Sequence, residues 1–317
     1  MRNRQPVFRQ TGVAPYPKTP KVWTFALSNY GEHLPLEGDR ADVWLMKKTS
    51  SPLFWLPYPR PLITGRLIRR YNRFLADVEL DSGERVVAHC VNTGRMEGLV
   101  AARGRVWLSE SDNPARTLRY TWEIVEIGGV LVGANTGIPN RLVRGVLEAR
   151  ALPGLKRWTQ MRAEKKYGEN SRVDFWLKEG RREHFIEVKN CHLVYPDGFG
   201  YFPDSVSERA TKHLEELVEI VRQGHRATVI FTAQRADTKA MRPSDIHDPV
   251  FAAAARHAAQ EGVRFRAVRV VPAATGLLVE KEIPVDLGPY ATEPMKAWRE
   301  ASATASGWVQ VKRAPAA

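Results

Sequence analysis

The chain has 317 residues, 43% of them hydrophobic and 26% charged, which is enough for two globular domains with substantial cores and argues against a disordered or fibrous chain. Lys and Arg number 48 against 35 Asp and Glu, a net charge of +13 with a pI of 9.9; the surplus points to a polyanion, nucleic acid ahead of an anionic membrane, although a generally basic proteome produces the same figure. Cys90 and Cys191 are the only cysteines and lack metal-ligand spacing, so a disulfide framework or zinc site is disfavoured, a reducing cytoplasm is expected, and no run reaches the roughly 18 apolar residues of a membrane span.

Residues 1–60 are rich in Pro and aromatics without a sustained period, and residues 1–31 carry Arg and Lys but no acid. They read as a poorly ordered extension, with an organellar transit peptide or a true start at Met46 as the other readings. From Leu62 short strands alternate with turns. Leu62 to Leu80 reads as one long bent strand, followed by Arg85–Cys90, Arg105–Ser109, and a hairpin of Leu118–Ile127 with Val130–Ala134 around Gly128-Gly129. About five strands with one intervening turn predict a small closed barrel of the OB type over residues 61–137.

Arg69, Arg70, Arg73, Arg116 and Arg119 fall among Tyr71, Phe74, Tyr120 and Trp122 in this region. Cations interleaved with aromatics suit a single-strand-binding surface. Strand alternation puts Leu118, Tyr120, Trp122 and Ile124 on one face, so Tyr120 and Trp122 are assigned to the core and the arginines to nucleic-acid binding.

Residues 138–286 alternate helices and strands: a helix at Asn140–Arg150, strands near Ala163–Tyr167, Ser171–Leu177 and His184–Lys189, a helix at Val206–Gln223, a strand at Ala227–Thr232, a helix at Pro249–Gln260 and a strand at Val263–Val271. This predicts an α/β domain on a mixed sheet. Ser205 and Glu208 form an S-x-x-E capping pattern, and Gly224 suits the residue after the helix end. On the same helix Arg209, Lys212 and His213 share one face, where a phosphate backbone would be gripped; Glu215, Glu216 and Glu219 leave a solvated charged face as the other reading. Residues 287–317 read as a tail.

The chemistry is concentrated at Asp174, Glu187 and Lys189. Gly180-Arg181 supplies a two-residue type II′ turn, so Glu179 faces Arg182 and Asp174 falls opposite Glu187, with Cβ atoms about 4.5 to 5.5 Å apart. Glu187 and Lys189 project to one face of their strand, Ile186 and Val188 to the other. Opposed carboxylates repel unless a cation sits between them, and Mg²⁺ takes one or two protein carboxylates while keeping waters for a phosphate to displace. The same E-x-K tripeptide also suits a solvated strand; apolar flanks on both faces favour a covered sheet.

Ordered motifs along residues 60–285 extend this reading: Arg69-Arg-Tyr-Asn-Arg-Phe-Leu-Ala-Asp-Val78, His89-Cys-Val-Asn-Thr-Gly94, Ser111-Asp-Asn-Pro114, Tyr120-Thr-Trp-Glu123, Asn140-Arg-Leu142, Tyr167-Gly168, Ser171-Arg-Val-Asp-Phe175, Glu187-Val-Lys189, and Phe202-Pro-Asp204 with Glu208-Arg209 and Lys212-His-Leu214. Together they resemble the sugar fermentation stimulation protein A (SfsA) family. The resemblance implies an N-terminal OB-like barrel, a restriction-endonuclease-like PD-(D/E)xK domain, and sequence-independent DNA binding. Gly145 stands where relatives often carry Glu, which moves the expectation for a third carboxylate to Glu164. Two functions follow. In one, Asp174, Glu187 and Glu164 hold Mg²⁺ or Mn²⁺ and Lys189 assists hydrolysis of DNA or RNA; in the other, the same fold binds DNA in a regulatory role without turnover.

Overall fold

The computed structural model describes residues 51–167 and 171–302. The readings made for residues 1–50, Met46 among them, for Gly168 and for residues 303–317 lie outside the described residues. The first strand, β1 (Phe54–Pro57), falls in the stretch expected to be an extension. It pairs antiparallel along Gly276–Val279, with Phe54 opposite Val279, and so forms the edge of the large sheet.

The barrel consists of β2 (Ile63–Tyr71), β3 (Leu75–Leu80), β4 (Arg85–His89), β5 (Arg105–Glu110) and β6 (Tyr120–Ile127), with β7 (Val130–Gly133) as a hairpin partner of β6. Closure comes from β4 pairing with β6 at Ala88–Tyr120 and His89–Thr121. Alternation fills the interior with Leu67, Val78, Ala88, Val106, Leu108, Tyr120 and Trp122; Tyr120 and Trp122 are core, as their strand pattern requires. The long bent strand expected over Leu62–Leu80 is two strands. Asn72 and Arg73 turn the chain at φ of 49° and 65° without a glycine, a turn that residue type alone conceals.

The second sheet runs β1, β15 (Gly276–Ile283), β14 (Arg264–Ala273), β12 (Arg226–Ala233), β10 (Arg182–Cys191), β9 (Ser171–Glu179), β8 (Gln160–Tyr167). Its β10, β12 and β14 are parallel and the rest antiparallel, so the sheet is mixed. Helix α1 (Pro139–Glu148) covers one face, where Leu142, Val146 and Leu147 meet Phe175, Ile186 and Val188. Helices α2 (Glu208–Arg222) and α3 (Pro249–Gln260) cover the other, where Leu214, Leu217 and Phe251 meet Trp176, Phe185 and Phe231. Glu187 and Lys189, in step with Phe185, therefore point under α2.

Two local features differ from expectation. The N-cap of α2 is Ser207, whose hydroxyl accepts from the Ala210 N–H, rather than Ser205; the carboxylate of Asp248 fixes Ser207 by accepting its backbone N–H at 2.8 Å. The segment beyond 287 also contains a helix, α4 (Glu293–Ala301). Met295 and Trp298 pack on Leu193, Tyr195 and Tyr201, and Arg299 donates to both oxygens of Glu97, from the loop between β4 and β5. A two-stranded parallel sheet of β11 (Phe199–Phe202) and β13 (Ala240–Pro243) completes the elements.

Candidate functional site

Gly180 has φ +62° while Arg181 keeps ordinary backbone, as a type II′ turn requires. The turn sets Glu179 opposite Arg182 and, counting inward, Phe175 opposite Ile186. There the ladder stops, one pair short of Asp174 and Glu187. Beyond that point the Asp174 carboxylate itself accepts the Val188 N–H at 2.7 Å, through Oδ2, and so takes the place of a strand carbonyl. Its other oxygen accepts from the Asn140 side-chain amide at 2.7 Å. Asn140 stands in the first turn of α1, behind Pro139, and anchors the carboxylate from across the cleft.

Glu187 is held differently. Its Oε1 accepts from the Lys189 ammonium at 2.8 Å and lies 2.5 Å from Nδ1 of His213, on α2. The ammonium is also 3.3 Å from the same ring nitrogen, and Arg209 Nε donates to the other at 3.4 Å. An acceptor role for Nε2 leaves the proton on Nδ1, which then donates to Glu187. Glu187, Lys189 and His213 are all at least nine-tenths buried, and Glu187 Oε2 has no hydrogen-bond partner.

The two carboxyls titrate in opposite directions. Burial and the neighbouring Glu187 charge raise Asp174, against the bonds from Val188 and Asn140 and the charge of Lys189. Burial also pushes Glu187 upward, but the His213 bond and the charge and bond of Lys189 outweigh it and hold Glu187 below its ordinary range. These groups line a cleft of about 310 Å³ together with Thr136, Gly137 and Arg209.

The other expected site residues do not all reach it. Glu164 lies across from Asp174 in the β8–β9 count, between the pairs Ala163–Phe175 and Lys165–Val173. Its backbone is left-handed, φ +52°, its side chain is exposed, and it does not line the cleft. Among the described residues no three His, Cys, Asp or Glu side chains cluster as ligands. Lys212 is exposed and 3.9 Å from Glu216, one turn along α2. His213 and Arg209 both line the cleft, His213 with its Nδ1 on Glu187 and Arg209 with its Nε on the other ring nitrogen.

Arg70, expected on the binding surface, is buried. Its Nη2 donates to the carbonyls of Arg73, Asn92 and Gly94 at 2.7, 2.8 and 3.0 Å. Arg69 is exposed, ion-paired with Asp77 at 2.7 Å and laid over Tyr71. Arg116 donates to Thr121 at 2.7 Å, and Arg119 pairs with Glu110. Arg73 is exposed, and no described side chain pairs with its guanidinium. The part of Asn140 in holding Asp174 is what sequence reasoning missed; its signals were the Asn140-Arg-Leu142 motif and a polar side chain in the first turn behind Pro139.

Gly145, read as a lost acid, has a physical reason. A Cβ there would collide with the Phe54 ring of β1, which occupies the space over α1.

The model of the SfsA N-terminal OB domain matches residues 68–134, and that of the sugar fermentation stimulation protein RE domain matches residues 137–276. A "Sugar fermentation stimulation protein homolog" of Geobacter sulfurreducens is 47% identical over 230 residues, covering 73% of this chain and 98% of its own. The protein of the same name from Thioalkalivibrio sulfidiphilus is 45% identical over 229 residues, 71% and 96% of the two chains. A solved structure titled "The structure of Pyrococcus Furiosus SfsA in complex with Ca2+" has the same fold, with a TM-score of 0.68 and 24% identity over 75% of this chain and all of that one.

Proposed function

Since the chain belongs to the sugar fermentation stimulation protein family, we propose that it binds DNA without sequence preference, RNA being the other candidate, and hydrolyses phosphodiesters with Mg²⁺ or Mn²⁺. The observation that carries this reading is the meeting of Asp174, Glu187, Lys189 and Arg209 in one cleft.

The donor set fits a hard divalent cation: two carboxylates are what Mg²⁺ commonly takes from protein, and Glu187 Oε2 is a buried oxygen with no partner. Asp174 and Glu187 would hold the cation. When bound, such an ion lowers the pKa of a coordinated water and offsets charge on a phosphoryl oxygen. Asn140 and the Val188 N–H fix Asp174, and His213 fixes Glu187, so neither carboxylate reorganises as a phosphate arrives. The Lys189 ammonium stands beside Glu187, placed to offset charge on the attacked phosphate or to orient a water. Arg209, steadied by His213, supplies a cation at the cleft mouth for a phosphate. Ca²⁺, which the Pyrococcus furiosus title records for that protein, shares the preference for oxygen ligands.

Free, buried Cys90 and Cys191 suit a reducing cytoplasm. Among the described residues no helix is long and apolar enough to cross a membrane.

A second reading, a DNA-binding regulator tied to sugar metabolism and without turnover, draws on the exposed placement of Glu164, which leaves two acids at the cleft. The separating experiment incubates the protein with single- and double-stranded DNA and RNA in Mg²⁺, Mn²⁺ or chelator. Metal-dependent cleavage that Asp174→Ala and Lys189→Ala abolish supports the nuclease; binding unchanged by both, with no substrate cut, supports the regulator.

A further inference from the structure

At the tip of the β2–β3 hairpin Asn72 and Arg73 both lie in the left-handed region, which Asn tolerates but which an Arg adopts only where its surroundings hold it. The holding group is buried Arg70, which fixes the Arg73 carbonyl from beneath and ties it to the Asn92 and Gly94 carbonyls of the neighbouring loop. The next carbonyl, that of Phe74, accepts the Cys90 N–H at 2.8 Å. With its backbone bonded on the inside, the tip presents the Phe74 ring outward, 47% exposed, next to exposed Arg73, whose guanidinium no described side chain pairs.

This end of the barrel is the end next to the cleft. Tyr71 pairs with Leu75, Leu75 with His89, and His89 with Thr121, so the tip lies level with the start of β6 and with Arg116, bonded to Thr121. One residue beyond Cys90, the Val91 carbonyl accepts from Thr136 at 3.2 Å, and the Val91 side chain abuts Gly137. Thr136 and Gly137 line the cleft of Asp174 and Glu187.

We propose that Phe74 is a stacking platform for an unpaired base, with Arg73 and Arg116 on the adjoining phosphates, so that the substrate is single-stranded nucleic acid or a duplex with an unpaired overhang. The inference rests on the nucleic-acid reading above. An aromatic ring flanked by cations accepts any base, because every base has a π-face, and paired bases within a duplex do not offer theirs.

The test is fluorescence anisotropy on the full chain in chelator, with a labelled single strand and a blunt duplex of the same sequence. Phe74→Ala should weaken single-strand binding by about 5- to 150-fold, the range for one lost stacked base, and leave duplex binding unchanged; Phe74→Trp should restore it. Equal affinity of Phe74→Ala and the unaltered chain for the single strand overturns the proposal, as does an equal loss on the duplex. Cleavage of either substrate by a chain indifferent to Phe74 would remove this inference alone, whereas failure of the unaltered chain to bind any strand would remove the nucleic-acid reading with it.

Discussion

Arg70 and Arg73 share a hairpin and a charge, yet their surroundings assign them opposite work, and substitution separates the two. In Arg70→Ala the carbonyls of Arg73, Asn92 and Gly94 lose a common charged donor. Bonds to a charged donor contribute about 1.5 to 3 kcal/mol each, but three acceptors sharing one nitrogen amount to roughly one or two full bonds. Against this stands Arg70 Nε, buried without a partner, whose removal returns part of a desolvation cost of about 1 to 3 kcal/mol. The balance is a loss of about 2 to 4 kcal/mol. Urea unfolding followed by tryptophan fluorescence should show the midpoint falling at unchanged slope. Folded Arg70→Ala should keep the dependence of DNA affinity on salt, since a buried guanidinium touches no phosphate. Arg73→Ala should do the reverse, with stability within about 0.5 kcal/mol of the unaltered chain and a log–log salt slope smaller by about 0.7 to 0.9. An Arg70→Ala chain of full stability with a reduced salt slope would refute the reasoning and return Arg70 to the binding surface.

Three further outcomes follow from the geometry. His213→Ala removes the closer of the two groups on Glu187 Oε1, so metal-dependent cleavage should fall by about 10- to 100-fold, as for lost partners of metal-binding carboxylates, with a raised Mn²⁺ midpoint and unchanged DNA affinity in chelator; weaker binding with undiminished cleavage of bound DNA would mean that His213 grips phosphate after all. Burial, reinforced by the charges of Arg226, Arg264 and Arg266, lowers His184 from 6.5 to about 3, with Nε2 2.7 Å from Thr228 Oγ1 and Glu179 3.7 Å from Nδ1. The unfolded chain then takes up a proton below pH 6.5 that the folded chain refuses until about pH 3, so this contribution is whole above 6.5 and drains at up to about 1.4 kcal/mol per pH unit as acid is added; His184→Gln should flatten the stability–pH curve in that window, and parallel curves would contradict the shift. Gly145→Glu forces its Cβ into the Phe54 ring, for which overpacking costs about 1 to 3 kcal/mol; thermal melting should fall and proteolysis near residues 54–57 accelerate, Phe54→Ala should reverse both, and an unchanged melt would show that β1 does not depend on the gap.

What the sequence made legible was set by short-range rules. The β9–β10 register follows from Gly180, because a two-residue turn leaves one way to count outward, and that count brought Asp174 and Glu187 together. Alternation located Tyr120 and Trp122 in the barrel, and apolar flanks on both faces foretold the covered sheet. What remained hidden depends on partners distant in the chain. Asn72-Arg73 turns without Gly or Pro because Arg70 braces it against the loop at Asn92, so the long strand expected there broke in two. Ser207, not Ser205, caps α2 because Asp248 holds its N–H, and α4 is anchored by Glu97 from the barrel. Glu164 satisfied the register and still missed the cleft, since its left-handed backbone leaves the side chain in solvent. The site itself obeys the same division. Strand periodicity puts Glu187 and Lys189 on one face, but Asn140 and His213 come from helices on opposite faces of the sheet; the His213 bond helps hold Glu187 low, whereas burial and the Glu187 charge raise Asp174 against the Asn140 bond. The acids could be found by counting; their different electrostatic states arise only once both helices are packed.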